Sequence, residues 1–258
     1  MSIEKYTKRI YDQFGKAYQQ SRDEHRKERL YNEFLEVPCM LKAVGNIRNK
    51  HLLDIGCGAG VHVKRYLKKG AKAEGIDLSQ TMIALAQKNC PGVMFKVGTI
   101  TKLPYKNSRF DIVTASLIID YVKDLDQAFA EVSRVLRKGG LFFYSDNSPI
   151  SGAREIFENK IFKIKAVGYV LDKKTGSRIP LGSYWHECLE EFEMLPGMTT
   201  KYYKRMFRTH LTTLRNAGLE LVDFIDCKPV PAFKRYDPES YALFTKFPLF
   251  SIYVCQKK

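Results

Sequence analysis

The sequence predicts an α/β protein with a doubly wound, mostly parallel sheet of seven strands. Helices precede the sheet, and one long insertion separates strand five from the last helix. Three observations predict this. From residue 51 onward, short apolar runs alternate with amphipathic helical runs. A glycine-rich turn, "GCGAG" at 56–60, joins the first apolar run to the first of those helices. The alternation stops after Pro149 and resumes with one helix and two strands. Alternating elements build a parallel sheet with helices on both faces. A chain of 258 residues is long enough for one such domain with a sizeable core.

Each element has a local reason. In residues 1–48, Tyr6, Ile10, Phe14 and Tyr18 recur at helical spacing and make one apolar face. A second helical stretch, "RLYNEFLEVPCMLKAVGNI", contains Pro38, which is expected to kink or split it. "HLLDI" is the first strand, and "VHVKRYLKKG" is a helix ending at Gly70 with lysines in its last turn. "AKAEGID" is strand two, and "SQTMIALAQKN" is a helix with Ser79 as N-cap. "VMFKVG" and "RFDIVTAS" are strands three and four. In "DLDQAFAEVSRVLRKGG", Asp124 caps a helix whose Leu125, Phe129, Val132 and Val135 share a face, with Gly139 and Gly140 expected to stop it. "LFFYS" is strand five. Residues 150–210 have no clean period and are rich in Tyr, Phe and Lys. "RTHLTTLRNAG" is then a helix, and "LELVDFID" and "FSIYVCQ" complete the sheet.

Composition narrows the class. Hydrophobic content of 45% with 28% charged residues is that of a globular protein. The N-terminus lacks the apolar core of a signal peptide, and no stretch approaches the roughly 18 apolar residues of a membrane span. A cytoplasmic protein, monomer or homodimer, is expected. Six scattered cysteines form neither a zinc pattern nor a disulfide framework, so no metal site is expected. The net charge of +15 leaves nucleic acid open as a partner without favouring it, because the lysines are spread along the chain. Dense positive charge does occur at 158–178 and again at 199–210.

The glycine loop excludes some ligands. In the nicotinamide fingerprint G-x-G-x-x-G, a third glycine packs helix on strand while pyrophosphate sits on the helix N-terminus. Here the third glycine, Gly60, comes one residue early, and Val61 stands in its place. The phosphate loop G-x-x-x-x-G-K-[ST] is absent too. Strand two ends in Asp77, where a carboxylate can accept both hydroxyls of a ribose. Strand three ends at Gly98-Thr99-Ile100, where backbone can flank a flat base. Together these describe a site for a nucleoside with a non-phosphate tail.

"LLDIGCGAG", "EGIDLSQTMI", "GTITKLPYKNSRFDIVTAS" and "VSRVLRKGGLFFYS" together resemble the ordered motifs of class I S-adenosylmethionine-dependent methyltransferases. The chain is most similar to the small-molecule group that includes ubiquinone and menaquinone methyltransferases, densely over residues 50–145. The resemblance implies the Rossmann-like methyltransferase fold, with 1–48 as a helical cap, 49–258 as the methyltransferase domain and 150–210 as a substrate lid. It implies S-adenosylmethionine as cofactor and S-adenosylhomocysteine as product. Asp54, Gly56, Cys57 and Gly58 would border the methionine part, and Asp77 the ribose. Leu78 and Met82 would line the adenosine, and Thr99 and Ile100 the adenine. Ser116 would lie near the sulfonium, with Tyr11 and Tyr18 closing over the cofactor.

In relatives a histidine commonly stands where this chain has Asp120, and often another in the stretch "SDNSP". Asp120 is a substitute base or an exposed loop acid. Other candidate catalytic groups lie in the insertion, where His186 and Tyr203 lead. Tyr184, Trp185, Tyr202, Arg205 and His210 are candidates to bind a flat or apolar small-molecule acceptor. His25, His51 and His62 sit in helix or strand contexts and read as structural. An RNA or protein acceptor is the alternative. It is weakened because "TASLIID" resembles neither the proline turn of base-nitrogen methyltransferases nor the paired glutamates of arginine methyltransferases.

Overall fold

The computed structural model describes residues 1–24, 30–158 and 163–258, with backbone alone at 155–158 and 163–166. His25 and part of the basic stretch 158–178 lie outside the described residues.

Ile3–Asp23 forms α1, capped by Ser2, whose side chain accepts from the Lys5 N–H. A π-helical turn, Asn32–Glu36, runs directly into Val37–Ala43 (α2). Pro38 therefore does not end the helical run but follows its π-helical turn. Proline has no N–H for the Phe34 carbonyl, which accepts instead from the Val230 N–H at 2.9 Å. The alternating part follows as β1 (His51–Ile55), α3 (Val61–Lys68), β2 (Lys72–Asp77), α4 (Gln80–Asn89), β3 (Phe95–Val97) and β4 (Phe110–Ser116). A 3-10 turn at Ile119–Tyr121 leads to α5 (Leu125–Val135) and β5 (Leu136–Asn147). Ser79 and Asp124 cap α4 and α5 by accepting from the Met82 and Gln127 N–H groups. Gly70, at φ 83°, ends α3 in the left-handed conformation that suits glycine.

One boundary differs from expectation. Helix α5 stops at Val135, four residues before Gly139. The Ser108 and Arg109 N–H groups take the Arg134 and Val135 carbonyls at 2.9 and 2.8 Å, so the helix end is satisfied by the preceding loop. Leu136 pairs at once with Phe110 in the parallel ladder. Gly139 and Gly140 instead lie where the β4–β5 register shifts. A Cβ on Gly140 would meet the Arg137 and Asp111 carbonyl oxygens at 2.8 and 3.0 Å.

The insertion is built of hairpins. After α6 (Pro149–Gly152) come three antiparallel pairs. These are β6 (Glu155–Glu158) with β7 (Lys163–Ala166), β8 (Gly168–Leu171) with β9 (Arg178–Leu181), and β10 (Cys188–Leu195) with β11 (Met198–Lys204). Then follow α7 (Phe207–Asn216), β12 (Leu219–Asp226), a 3-10 turn at Pro231–Arg235, α8 (Pro238–Phe244) and β13 (Phe250–Lys257).

The large sheet has seven strands in the order β12-β13-β5-β4-β1-β2-β3, all parallel except β13. Its two faces bury separate cores. One holds Val63, Tyr66, Ile83 and Ala86 from α3 and α4 with Met40 from α2. The other holds Leu125, Phe129, Val132 and Val135 from α5 with Leu214 from α7. Each fully buried large side chain contributes roughly 1.5–3 kcal/mol of apolar transfer. A third cluster lies outside the sheet: Ile10 and Tyr18 of α1 pack with Met82, Met194 and Met198. It ties α1 to α4 and to the β10–β11 hairpin.

Candidate active site

Strand order reverses at β1, since β2 lies on one side of it and β4 on the other. The loops leaving the carboxyl ends of those strands diverge there and open a crevice. A cavity of about 940 Å³ occupies it, walled also by α1, the β10–β11 hairpin and the end of β5.

The glycine turn forms one wall. Gly56, Gly58 and Gly60 have φ of 65°, 52° and 79°, in the region that side chains disfavour. The turn is held by Cys57 N–H to the Ile76 carbonyl at 3.0 Å and Gly60 N–H to the Cys57 carbonyl at 2.9 Å. A Cβ on Gly56 would strike Ile118 at 2.5 Å, whereas one on Gly58 would meet nothing within 4 Å. The backbone at Gly58 is thus open to close approach by a ligand.

Asp77 ends β2 beside it. Its two oxygens accept from the Gly58 and Ser79 N–H groups, each at 2.9 Å, and keep lone pairs for further donors. Burial pushes this carboxyl up, and those N–H groups draw it back toward ionisation. Leu78, Met82, Thr99, Ile100 and Cys57 line the same cavity, and Tyr11 and Tyr18 line it from α1, with Tyr11 reaching Tyr121 edge to face at 6.4 Å between centroids. Met82 does so while also packing against α1. Tyr11 meets Tyr18 edge to face with centroids 5.6 Å apart. Ser116 is the last residue of β4 and lines the cavity's middle with Leu117.

Asp54 is placed differently from expectation. It is absent from the cavity wall. Buried beneath the glycine turn, it accepts from Thr114 Oγ1 at 2.7 Å and clasps β1 to β4. Burial pushes its carboxyl up to about 6. His62, read from sequence as structural, lines the cavity and lies 3.1 Å from the buried Glu36 carboxylate. Glu36 raises the His62 ring, and His62 in turn lowers Glu36, against burial in both cases. Ser145 Oγ donates to Glu36 at 2.8 Å and accepts from the Leu117 N–H at 3.0 Å, linking this network to the β4 end.

The opposite end is lined by Asp120, Tyr121, Asp146, Asn147, Tyr202, Tyr203, Arg205 and His210. Asp120 is no exposed loop acid: the 3-10 turn after β4 turns it inward, and it is 8% exposed. Burial and the neighbouring Asp146 push it well above the usual carboxylate range, and Arg205 opposes them. Asp146 is raised to about 7 by burial. His210 is held down at about 3 by burial and Arg205, so its ring is neutral. Its Nδ1 is 3.2 Å from Tyr144 Oη and its Nε2 3.6 Å from Asp146 Oδ2. Tyr202 donates to Glu190 at 2.5 Å, and Arg205 lies over the Tyr203 ring at 4.5 Å.

Three residues expected on the acceptor side are not brought in. His186 is exposed and Trp185 is 81% exposed, and neither lines the cavity. They lie in the connection before β10. Tyr184 also lies off the wall, where its hydroxyl accepts from the Phe207 N–H at 3.2 Å and steadies the start of α7. The sequence reading missed Asp146 and Asn147. Their position, directly at the carboxyl end of a central strand, is where a parallel sheet presents its chemistry.

Comparison with known proteins follows this geometry. Residues 53–144 match a family model described as a methyltransferase domain. An uncharacterized protein of Haemophilus influenzae is 33% identical over 129 residues, covering 46% of this chain and 51% of that protein. A ubiquinone biosynthesis O-methyltransferase of Pelagibacter ubique is 29% identical over 154 residues, covering 58% of this chain and 59% of that one. The chain thus spans between half and two thirds of the length of these curated relatives. A crystal structure of an S-adenosylmethionine-dependent methyltransferase from Mesorhizobium loti superposes with a TM-score of 0.66 at 24% identity, covering 84% of this chain and 96% of that one.

Proposed function

We propose that this chain, a class I S-adenosylmethionine-dependent methyltransferase of the small-molecule group, transfers a methyl group to an O, N or C atom of a small, flat or apolar molecule. The observation that carries this reading is a single cavity with two chemically different ends. One end has open glycine backbone and a diol-accepting carboxylate. The other has acids, an arginine and tyrosines.

The first end suits S-adenosylmethionine. The open space at Gly58 admits a ligand's amino-acid tail against the backbone, and Asp77 has lone pairs free for two ribose hydroxyls. Thr99 and Ile100 would flank the adenine, Leu78 and Met82 the adenosine, and Tyr11 and Tyr18 would cover it. Asp77 also disfavours a phosphate there by charge. When bound, the cofactor supplies a methyl group already activated on a sulfonium.

The chain's own contribution is to align the acceptor and exclude water. Alignment of this kind can supply on the order of 7–11 kcal/mol. Residues 1–48 serve as the cap and 150–210 as the substrate lid. The cluster of α1 with Met194 and Met198 supports that closure. Asp120 and Tyr203 remain the candidate acid–base groups, and Tyr202, Arg205 and His210 the candidate acceptor contacts. His186 and Trp185 drop out because they face away.

Calorimetry tests this. S-Adenosylhomocysteine is expected to bind, and Asp77→Asn to weaken it about 10–100-fold, the loss of hydrogen bonds to a charged acceptor. Tight binding of NADH with none of S-adenosylhomocysteine would overturn the reading.

A further inference from the structure

Two acidic side chains share the acceptor end. Asp120 Oδ2 accepts from Asn147 Nδ2 at 3.3 Å, whereas its Oδ1 is buried without a hydrogen-bond partner among the described residues. Asp146, 6% exposed, accepts the Asn147 N–H at 2.7 Å through Oδ1. Asn147 therefore bridges the two carboxyls. The charged and titratable groups around them are Arg205 after β11, His210 of α7, Tyr202 of β11, Tyr121 of the 3-10 turn and Tyr253 of β13, and Glu190, Tyr203 and Lys204 of the β10–β11 hairpin line the same cavity.

Charge accounting follows from these contacts. Arg205 donates to the Ile119, Val122 and Lys123 carbonyls and makes no direct ion pair with either acid among the described residues. His210 is neutral. Arg205 is the cation that acts on both carboxyls, while Lys204, 7% exposed, lines the same cavity; both carboxyls ionised would set two negative charges against that one guanidinium. A proton held by the pair balances them, and so does a cation brought by a ligand. A phenol or alcohol brings no positive charge. Giving its proton to Asp120 would create an oxyanion beside the ionised Asp146, leaving that acceptor to rely on the cofactor's sulfonium for balance. A carboxylate acceptor would add a third negative charge. An ammonium group supplies the missing charge and a proton to lose, and the tyrosine rings along this wall suit a cation.

We propose that Asp120 and Asp146 recognise the methyl acceptor as an ammonium ion, and that Asp120 is the base that frees its nitrogen. This rests on the methyltransferase reading above. The ammonium gives one proton to the Asp120 carboxylate. The freed nitrogen lone pair forms the new N–C bond as the methyl–sulfur bond breaks, with its electron pair staying on sulfur. The products are an N-methylated ammonium, S-adenosylhomocysteine and one proton, which passes from the carboxyl pair to solvent. Asp146 is a positioning residue, acting through the charge it shares with Asp120.

The test uses the intact 258-residue chain saturated with S-adenosylhomocysteine. The probes are a panel of aryl-alkyl amines with the alcohols, phenols and carboxylates of the same skeletons. Calorimetry in two buffers of different ionisation enthalpy counts protons. Amines are expected to bind, releasing up to one proton each at pH 7. Asp120→Asn should weaken them at least about tenfold while leaving S-adenosylhomocysteine affinity unchanged. Asp146→Asn should abolish the proton release, which a merely structural role would not do. Preferential binding of phenols, alcohols or carboxylates would overturn the proposal. So would amine binding indifferent to Asp120→Asn, or failure of every amine on a protein that takes up S-adenosylhomocysteine. A wild-type protein that takes up no S-adenosylhomocysteine overturns the methyltransferase reading itself, a distinct outcome.

Discussion

Gly56 and Gly58 have similar backbone angles and different surroundings, so they separate folding from binding. Gly56→Ala drives a Cβ into Ile118 at 2.5 Å and adds left-handed strain, and roughly 2–4 kcal/mol of stability should be lost in chemical denaturation. Gly58→Ala carries only the strain, about 1–2 kcal/mol. Its methyl enters the space where the cofactor is proposed to lie, so S-adenosylhomocysteine affinity should fall far more than stability. Asp146 gives a pH prediction. Its folded value, about 7, lies above that of an unfolded aspartate, so the folded state holds the extra proton in between. Stability therefore falls as pH rises from about 4 through about 7. Asp146→Asn should remove that loss, raising stability at pH 8 by on the order of 1–3 kcal/mol and flattening the profile, with no difference below pH 4. A variant less stable than wild type at pH 8 in thermal unfolding would contradict this.

At the scale of elements, the clasp between α1 and α4 matters most. Asp12 Oδ1 accepts from Ser79 Oγ at 2.7 Å, and the Asp12 carbonyl accepts from Thr81 Oγ1 at 2.9 Å. The carboxylate also sits at the N-terminus of α4, where the helix dipole favours it. Asp12→Ala should loosen α1 and cut S-adenosylhomocysteine affinity about tenfold, while global unfolding shifts by no more than about 1 kcal/mol. Equal losses in both measurements would show α1 to be integral to the core instead. The helices and parallel strands were legible because their periodicity is set by one buried face, as in α5. The hairpins were not. Strands β8 and β10 leave Tyr169, Leu171, Leu189 and Phe192 exposed, so no alternation of apolar and polar residues marks them.

For the molecule as a whole, the net charge of +15 is the feature that the proposed chemistry does not use. Nonspecific attraction to RNA falls steeply with salt. We expect any tRNA retardation at 50 mM salt to vanish in a gel shift at about 150 mM. A band that persists would restore a nucleic-acid acceptor. Among the described residues no helix is long and apolar enough to cross a membrane.

The sequence by itself determined the sheet and the glycine turn, and it pointed to Asp77 beside that turn, where the cofactor is proposed to lie. Those features are local: a glycine turn, a strand-ending acid and a helix cap each follow from a few adjacent residues. Only the tertiary structure decided the acceptor end. Asp120 and Asp146 are 26 positions apart and look like ordinary surface acids in the sequence. They come together because β4 and β5 pair through Ser116 and Ser145, and the 3-10 turn after β4 brings Asp120 to Asn147, next to Asp146. His186 and Trp185 looked functional by residue type, yet they face solvent, because which way a connecting loop points is set by packing far from it in sequence.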